Sequence, residues 1–217
     1  MIAEDFIGFE IKQSANGIII SQKGYIAKLV ETFEMSEANV KETPMEAMLV
    51  IKDDENYLED IKLYQSLIGG LLYLQQKARP DISYAVNQLS KFAKKPTMTH
   101  LKYGKRVLKY FKAKANYGIM FKKCESLNIQ VFIDSEHGRH LEGKSVHGFV
   151  IMFNNATVMY QTKQMDTASL SSTESEFKAI AESMKKVIWM RNVLRFLEVD
   201  FGKISIWNDN MLSLIHI

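Results

Sequence analysis

Asn128-Ile129-Gln130-Val131-Phe132-Ile133-Asp134 is a short run rich in β-branched and aromatic residues that closes on an acid, and it reads as a strand. Gly118 to Lys122 before it, and His147 to Phe153 and Thr157 to Gln161 after it, are further β-rich runs separated by turn residues. Asn154-Asn155 marks a hairpin between the last two. Ser171 to Leu197 then has a helical period, with Phe177, Ile180, Ala181, Met184 and Ile188 expected on one face. Lys203 to Trp207 is a last strand, followed by Asn208-Asp209-Asn210. The order is a strand meander, one long helix, then a fourth strand, which predicts a mixed fold of α+β and α/β character.

Upstream the pattern differs. Phe6 to Lys12 and Ile18 to Ser21 read as strands around a tight turn at Asn16-Gly17. Ile26, Leu29, Val30 and Phe33 give Lys23 to Phe33 a helical period. Ser36 to Tyr57 is polar and aperiodic, a loop. Asp60 to Gln76 is an apolar helix interrupted by Gly69-Gly70, a pair that costs roughly 2 kcal/mol against alanine and so signals close packing or a kink. Pro80-Asp81 predicts a helix start running to Phe92, with the acid beside the positive helix end. Thr99 to Ala115 is a further helix. The boundary between the two patterns divides the chain into regions 1–122 and 123–217.

The 217 residues are 47% hydrophobic and 24% charged, the balance of a globular protein. One cysteine, Cys124, excludes an internal disulfide and a thiolate metal centre. Met1 to Phe9 carries Glu4 and Asp5 and lacks the apolar core of a signal peptide, and the run Leu67 to Leu74 is too short to span a bilayer. The expectation is a soluble intracellular protein of cytoplasm or nucleus, with no membrane partner. Net charge is only +3, but Lys91 to Lys123 contains no acid. Within it Lys102, Lys105, Lys109 and Lys112 recur at spacings of three and four, a stripe along one helix face. Such a stripe is either a solvated surface or a phosphate-binding one.

Three carboxylates stand where elements end or begin: Asp134 after a strand, Glu176 in the first turns of the long helix, and Asp209 after the final strand. A helix packed on a sheet can gather them at one sheet end, and converging carboxylates bind hard divalent cations. Each also has an ordinary explanation. Asp134 and Asp209 suit turns, and Glu176 suits a capping box with Thr173. Periodicity leaves Glu174 and Glu176 as alternatives.

Other segments carry a resemblance. Phe6-Ile7-Gly8-Phe9-Glu10-Ile11, Ile20-Ser21-Gln22-Lys23-Gly24-Tyr25, Thr43-Pro44-Met45, Tyr64 to Leu74, Arg79-Pro80-Asp81-Ile82-Ser83-Tyr84-Ala85-Val86, Ser171 to Phe177 and Asp209-Asn210 stand in order across nearly the whole chain. Together they resemble the Pol polyprotein of copia-type LTR retrotransposons, from the end of reverse transcriptase into ribonuclease H. The resemblance implies a palm hairpin with thumb- and connection-like helices, followed by a ribonuclease H-like domain. It implies cleavage of RNA in RNA–DNA hybrids with two Mg²⁺ ions on Asp134, Glu176 and Asp209. It selects Glu176 over Glu174, because the family sets that acid directly before an aromatic, here Phe177. The partners implied are a hybrid nucleic acid and the remainder of the polyprotein.

There are departures. Ser135-Glu136-His137 stand where the family follows its first aspartate with a small residue, another aspartate and tryptophan. Glu136 is either a substitute carboxylate or a surface acid. The family's fourth carboxylate and its polymerase aspartate pair fall outside this sequence, so the domain is expected to be truncated and primer extension absent. Asp53-Asp54, in a polar loop, have no catalytic role. His137, His140 and His147 are expected at the surface, and Lys144 to Gly148 as a structural turn. The alternative to a nuclease is a non-catalytic remnant that binds nucleic acid through the lysine stripe.

Overall fold

The computed structural model describes residues 5–46, 56–136, 145–165, 169 and 171–208. The chain divides into two compact units, Met1–Met120 and Phe121–Ile217. Among the described residues there are five α-helices and two four-stranded sheets, a mixed α and β fold.

In the first unit, the strand expected over Phe6 to Lys12 is broken. Ile7 (φ 52°) and Gly8 (φ 75°) turn the chain between β1 (Asp5–Phe6) and β2 (Phe9–Ser14), with Phe6 paired to Phe9. Two consecutive positive φ angles match the twist of a hairpin. Tyr73 fastens this turn by donating a 3.0 Å hydrogen bond to the Ile7 carbonyl, and a Cβ on Gly8 would collide with that hydroxyl. β3 (Gly17–Ser21) pairs with β2 from Ser14↔Gly17 to Glu10↔Ser21. The turn residues are therefore Ala15-Asn16, one position earlier than expected, and Gly17 (φ 142°) opens the strand.

The helices α1 (Lys23–Thr32), α2 (Ile61–Lys77), α3 (Ser83–Ser90) and α4 (Met98–Lys114) enclose a core that includes Ile26, Tyr64, Leu67, Leu71, Leu108 and Phe111. α2 begins at Asp60, whose carboxylate accepts from the Leu63 amide at 3.1 Å. Its glycine pair makes no break. Gly70 lets Leu29 approach to 2.7 Å from where a Cβ would sit, whereas Gly69 faces nothing within 4 Å. α4 begins with a capping box in which His100 takes the place of the usual Glu or Gln. His100 N donates to Thr97 Oγ1 (3.4 Å), and Thr97 N donates to His100 Nδ1 (3.0 Å). β4 (Gly118–Lys122) joins the sheet beside β3, where Gly118 meets the Ile20 carbonyl.

Pro80-Asp81 opens a 3₁₀ turn (Pro80–Ile82) rather than an α-helix, and Asp81 pairs with its near neighbour Arg79. Arg79, 1% exposed, donates from Nε to Asp81 Oδ1 at 2.9 Å and from Nη2 to Asp81 Oδ2 at 2.6 Å. Its Nη1 satisfies the Lys114 carbonyl at the end of α4 (3.0 Å), and its guanidinium stacks 4.5 Å from the Phe111 ring centroid. Tyr110 donates a 2.7 Å hydrogen bond to the same Asp81.

The second unit is a sheet in the order β7-β6-β5-β8, built from β5 (Leu127–Glu136), β6 (Val146–Phe153), β7 (Ala156–Gln164) and β8 (Phe201–Asn208). β5, β6 and β7 form an antiparallel meander. Asn154 (φ 47°) and Asn155 (φ 68°) make its second turn, the conformation that hairpin asparagines favour. β8 is parallel to β5, reached through the crossover helix α5 (Ser172–Phe196).

α5 is unbroken, and its buried stripe is rotated by about 125° from the face expected. Ser175, Glu176, Ala179, Ser183, Val187, Met190 and Leu194 are buried, while Ala181 and Ile188 are exposed. The reason is steric. Small residues at 175, 179 and 183 let the helix lie close on β5 and β6, and Ser183 Oγ satisfies itself on the Ala179 carbonyl at 2.7 Å. The larger side chains flank that contact line, and no apolar-periodicity rule selects serine as a packing residue.

Candidate functional site

β5 alternates strictly. Ile129, Val131 and Ile133 are buried beneath α5, while Phe132 and Asp134 lie on the opposite, exposed face. Gly148 is the register partner of Asp134 on β6, leaving no side chain beside the acid on that strand. Ser135 returns to the helix side, where its hydroxyl donates to Ser175 Oγ at 3.0 Å.

Glu176 is 5% exposed and is one of the buried residues of α5. Asn208, at the end of β8 and in register with Ile133, donates from Nδ2 to Glu176 Oε2 at 2.8 Å. The capping explanation for Glu176 does not hold. The N-cap is Ser171, whose Oγ accepts from the Glu174 amide at 3.1 Å, and Glu174 pairs with Lys178 (2.8 Å) on the outer side of the helix. The two acids that periodicity left as alternatives thus differ in environment.

The structure therefore brings Glu176 to the shared end of β5 and β8, where Asp134 also lies in sequence but on the other sheet face. Asp209 follows Asn208 directly and lies outside the described residues, as do His137, His140, Asp53 and Asp54. Among the described residues no three His, Cys, Asp or Glu side chains are grouped as a cation site. Glu176 does keep capacity for one. Its one side-chain hydrogen-bond partner among those residues is a neutral amide, and a carboxylate offers about four acceptor positions.

His147, expected at the surface, is 3% exposed. It alternates with Phe149 and Ile151 on the helix side of the inner strand β6, in register with Ser135. That alternation was readable in the sequence. Gly148 lies within β6 rather than in a turn before it. Asn208 is a site residue that the sequence offered only through its neighbour Asp209.

The lysine stripe of α4 is partly occupied by its own chain. Lys112 Nζ donates to the carbonyls of Ser36 and Ala38, the latter at 2.6 Å. Nearby Arg106 bonds Glu46 Oε1 (2.9 Å) and Thr43 (3.1 Å), and Lys114 pairs with Glu42 at 2.9 Å. Lys102 is exposed, and Lys105 and Lys109 are half-buried. No described helix is long and apolar enough to cross a membrane.

No protein-family model matches the sequence. Curated proteins do. The chain is 32% identical over 196 residues to the retrovirus-related Pol polyprotein from transposon RE1 of Arabidopsis thaliana, covering 89% of the chain and 13% of that protein. It is 24% identical over 223 residues to the retrovirus-related Pol polyprotein from transposon TNT 1-94 of Nicotiana tabacum, covering 98% of the chain and 17% of that protein. It is 31% identical over 185 residues to the uncharacterized mitochondrial protein AtMg00810 of Arabidopsis thaliana, covering 85% of the chain and 77% of that protein. The chain thus spans well under a fifth of each Pol polyprotein it matches here.

Proposed function

Because the chain belongs to the family of retrovirus-related Pol polyproteins of copia-type transposons, we propose that its second unit is a ribonuclease H-like domain descended from a nuclease for RNA in RNA–DNA hybrids. The observation that carries this reading is the buried Glu176 carboxylate, held by Asn208 at the end of β8 immediately before Asp209. A meander whose first strand is joined in parallel by a strand arriving through a crossover helix supports it as well.

Under this reading Glu176 and Asp209 would hold two Mg²⁺ ions at the end of β8, with Asp134 reaching them around the end of β5 from the other sheet face. When bound, such ions activate water and neutralise charge at a phosphodiester. Asn208 orients Glu176, and the Ser135–Ser175 bond ties β5 to the start of α5. The test is cleavage of the RNA strand of a labelled hybrid. Mg²⁺-dependent cleavage that Asp134→Asn abolishes supports the proposal; no cleavage by the unsubstituted chain at saturating Mg²⁺ removes the enzymatic claim.

The second reading is salt-sensitive binding to nucleic acid through α4. The segregation of Lys102, Lys105 and Lys109 on that helix favours it, while Lys112 serves the fold. Replacing those three by Gln should reduce the slope of log affinity against log salt by roughly 0.9 for each duplex phosphate no longer neutralised. An unchanged slope would reject it.

A further inference from the structure

Among the described residues α5 lies over β5 and β6 and leaves the helix-side face of the edge strand β7 only partly covered. A trough of about 390 Å³ opens there, lined by Phe149, Met159 and Gln161 of the sheet and by Lys185, Lys186 and Trp189 of the helix. The size is at the low end of the roughly 300–1,000 Å³ of small-ligand pockets. It suits one nucleotide unit and not a duplex.

Its chemistry is divided in a particular way. The floor is apolar, with Phe149 only 3% exposed. One wall is an indole, Trp189, left 57% exposed on α5 while its neighbours Val187 and Met190 are buried. Lys185 and Lys186 stand four and three positions before it and share its side of the helix. Lys185 pairs with Glu182 at 2.5 Å, but both partners are exposed, and such a pair yields readily to a competing anion. Gln161 supplies an amide with donors and acceptors.

We propose that this trough binds one unpaired nucleotide of a single-stranded nucleic acid. The base stacks on Trp189, and the flanking phosphates meet Lys185 and Lys186. The positive rim matches a phosphate backbone, and an exposed indole beside two cations is the combination that single strands use without sequence preference. The trough is separate from the carboxylate site, and binding requires no metal.

The experiment uses the full chain in EDTA, with Trp207→Phe as background so that Trp189 is the remaining tryptophan. The probe is an eight-nucleotide oligothymidylate, with an abasic oligomer of equal length as control. Saturable quenching of Trp189 by the oligothymidylate, absent with the abasic strand, is the expected result. In anisotropy with labelled oligothymidylate, Trp189→Ala should weaken binding roughly tenfold, and Trp189→Phe should lose less. Lys185→Gln with Lys186→Gln should lower the salt slope by roughly 1.4, the single-strand value for two phosphates. Unquenched Trp189, equal binding of the abasic strand, or equal displacement by an acidic aromatic peptide overturns the proposal. Because no Mg²⁺ is present, these outcomes are independent of whether the hybrid is cleaved.

Discussion

Asn208 and Glu176 are joined by a 2.8 Å hydrogen bond that links the end of β8 to the second turn of α5. Its loss leaves a carboxylate that is 5% exposed without its amide donor. Asn208→Leu should therefore cost about 1–3 kcal/mol in urea unfolding. Glu176→Gln should cost less, since its amide oxygen still accepts from Asn208. A larger loss for Glu176→Gln than for Asn208→Leu would contradict the assignment.

The glycine pair of α2 predicts opposite signs at adjacent positions. Gly69→Ala meets nothing within 4 Å and should stabilise by up to about 1 kcal/mol through helix propensity. Gly70→Ala drives a methyl to 2.7 Å from Leu29 Cδ1, in a core where Leu29 is 7% exposed, and should destabilise by about 1–3 kcal/mol. Thermal melts of the two single variants, compared at equal protein concentration, check this.

Arg79→Met should destabilise the first unit by about 1–3 kcal/mol, because the Lys114 carbonyl and the Asp81 carboxylate lose the guanidinium that joins them. Arg79→Lys should restore only part of that. An ammonium cannot present the planar fork that reaches both Asp81 oxygens and the Lys114 carbonyl. Full stability in Arg79→Lys would show the fork to be dispensable.

Much of this was legible in the residues. The Asn154-Asn155 hairpin, the helix beginning after Asp60 and the order of elements in the second unit follow from turn chemistry and period. Three things did not. The break at Ile7-Gly8 depends on Tyr73, 66 positions away. The buried line of α5 runs through serines, which periodicity counts as polar. The fate of Lys112 depends on where the carbonyls of Ser36 and Ala38 come to lie. At the candidate site, the inward turn of Glu176 needed the register of β8 against β5, which no local pattern encodes. The Ile7-Gly8 break, Lys112 and Glu176 each reflect a long-range interaction overriding a local preference.

Alkali should destabilise the first unit as its buried phenols are forced to ionise. Burial, then the hydrogen bond to Asp81, pushes the Tyr110 phenol up to about 12, and burial raises Tyr64 as well. A raised folded pKa means the unfolded chain ionises first. The stabilisation is complete below the unfolded value of about 10 and is lost as pH rises from there toward the folded value. Unfolding free energy measured from pH 9 to 12 should fall over that window, and Tyr110→Phe should flatten part of the slope.

The parallel pairing of β5 with β8 also dictates an order of assembly. Ile133 and Asn208, linked across that pair, are 75 positions apart, whereas the β6–β7 hairpin closes between Phe153 and Ala156. Closing the long loop costs entropy that no early contact repays, so the meander is expected to form first and β8 to dock last. Until it docks, β5 is an open edge, available to any other strand of suitable pattern. The step that completes the surroundings of Glu176 is thus also the one during which a nascent chain is most exposed to mispairing with its neighbours.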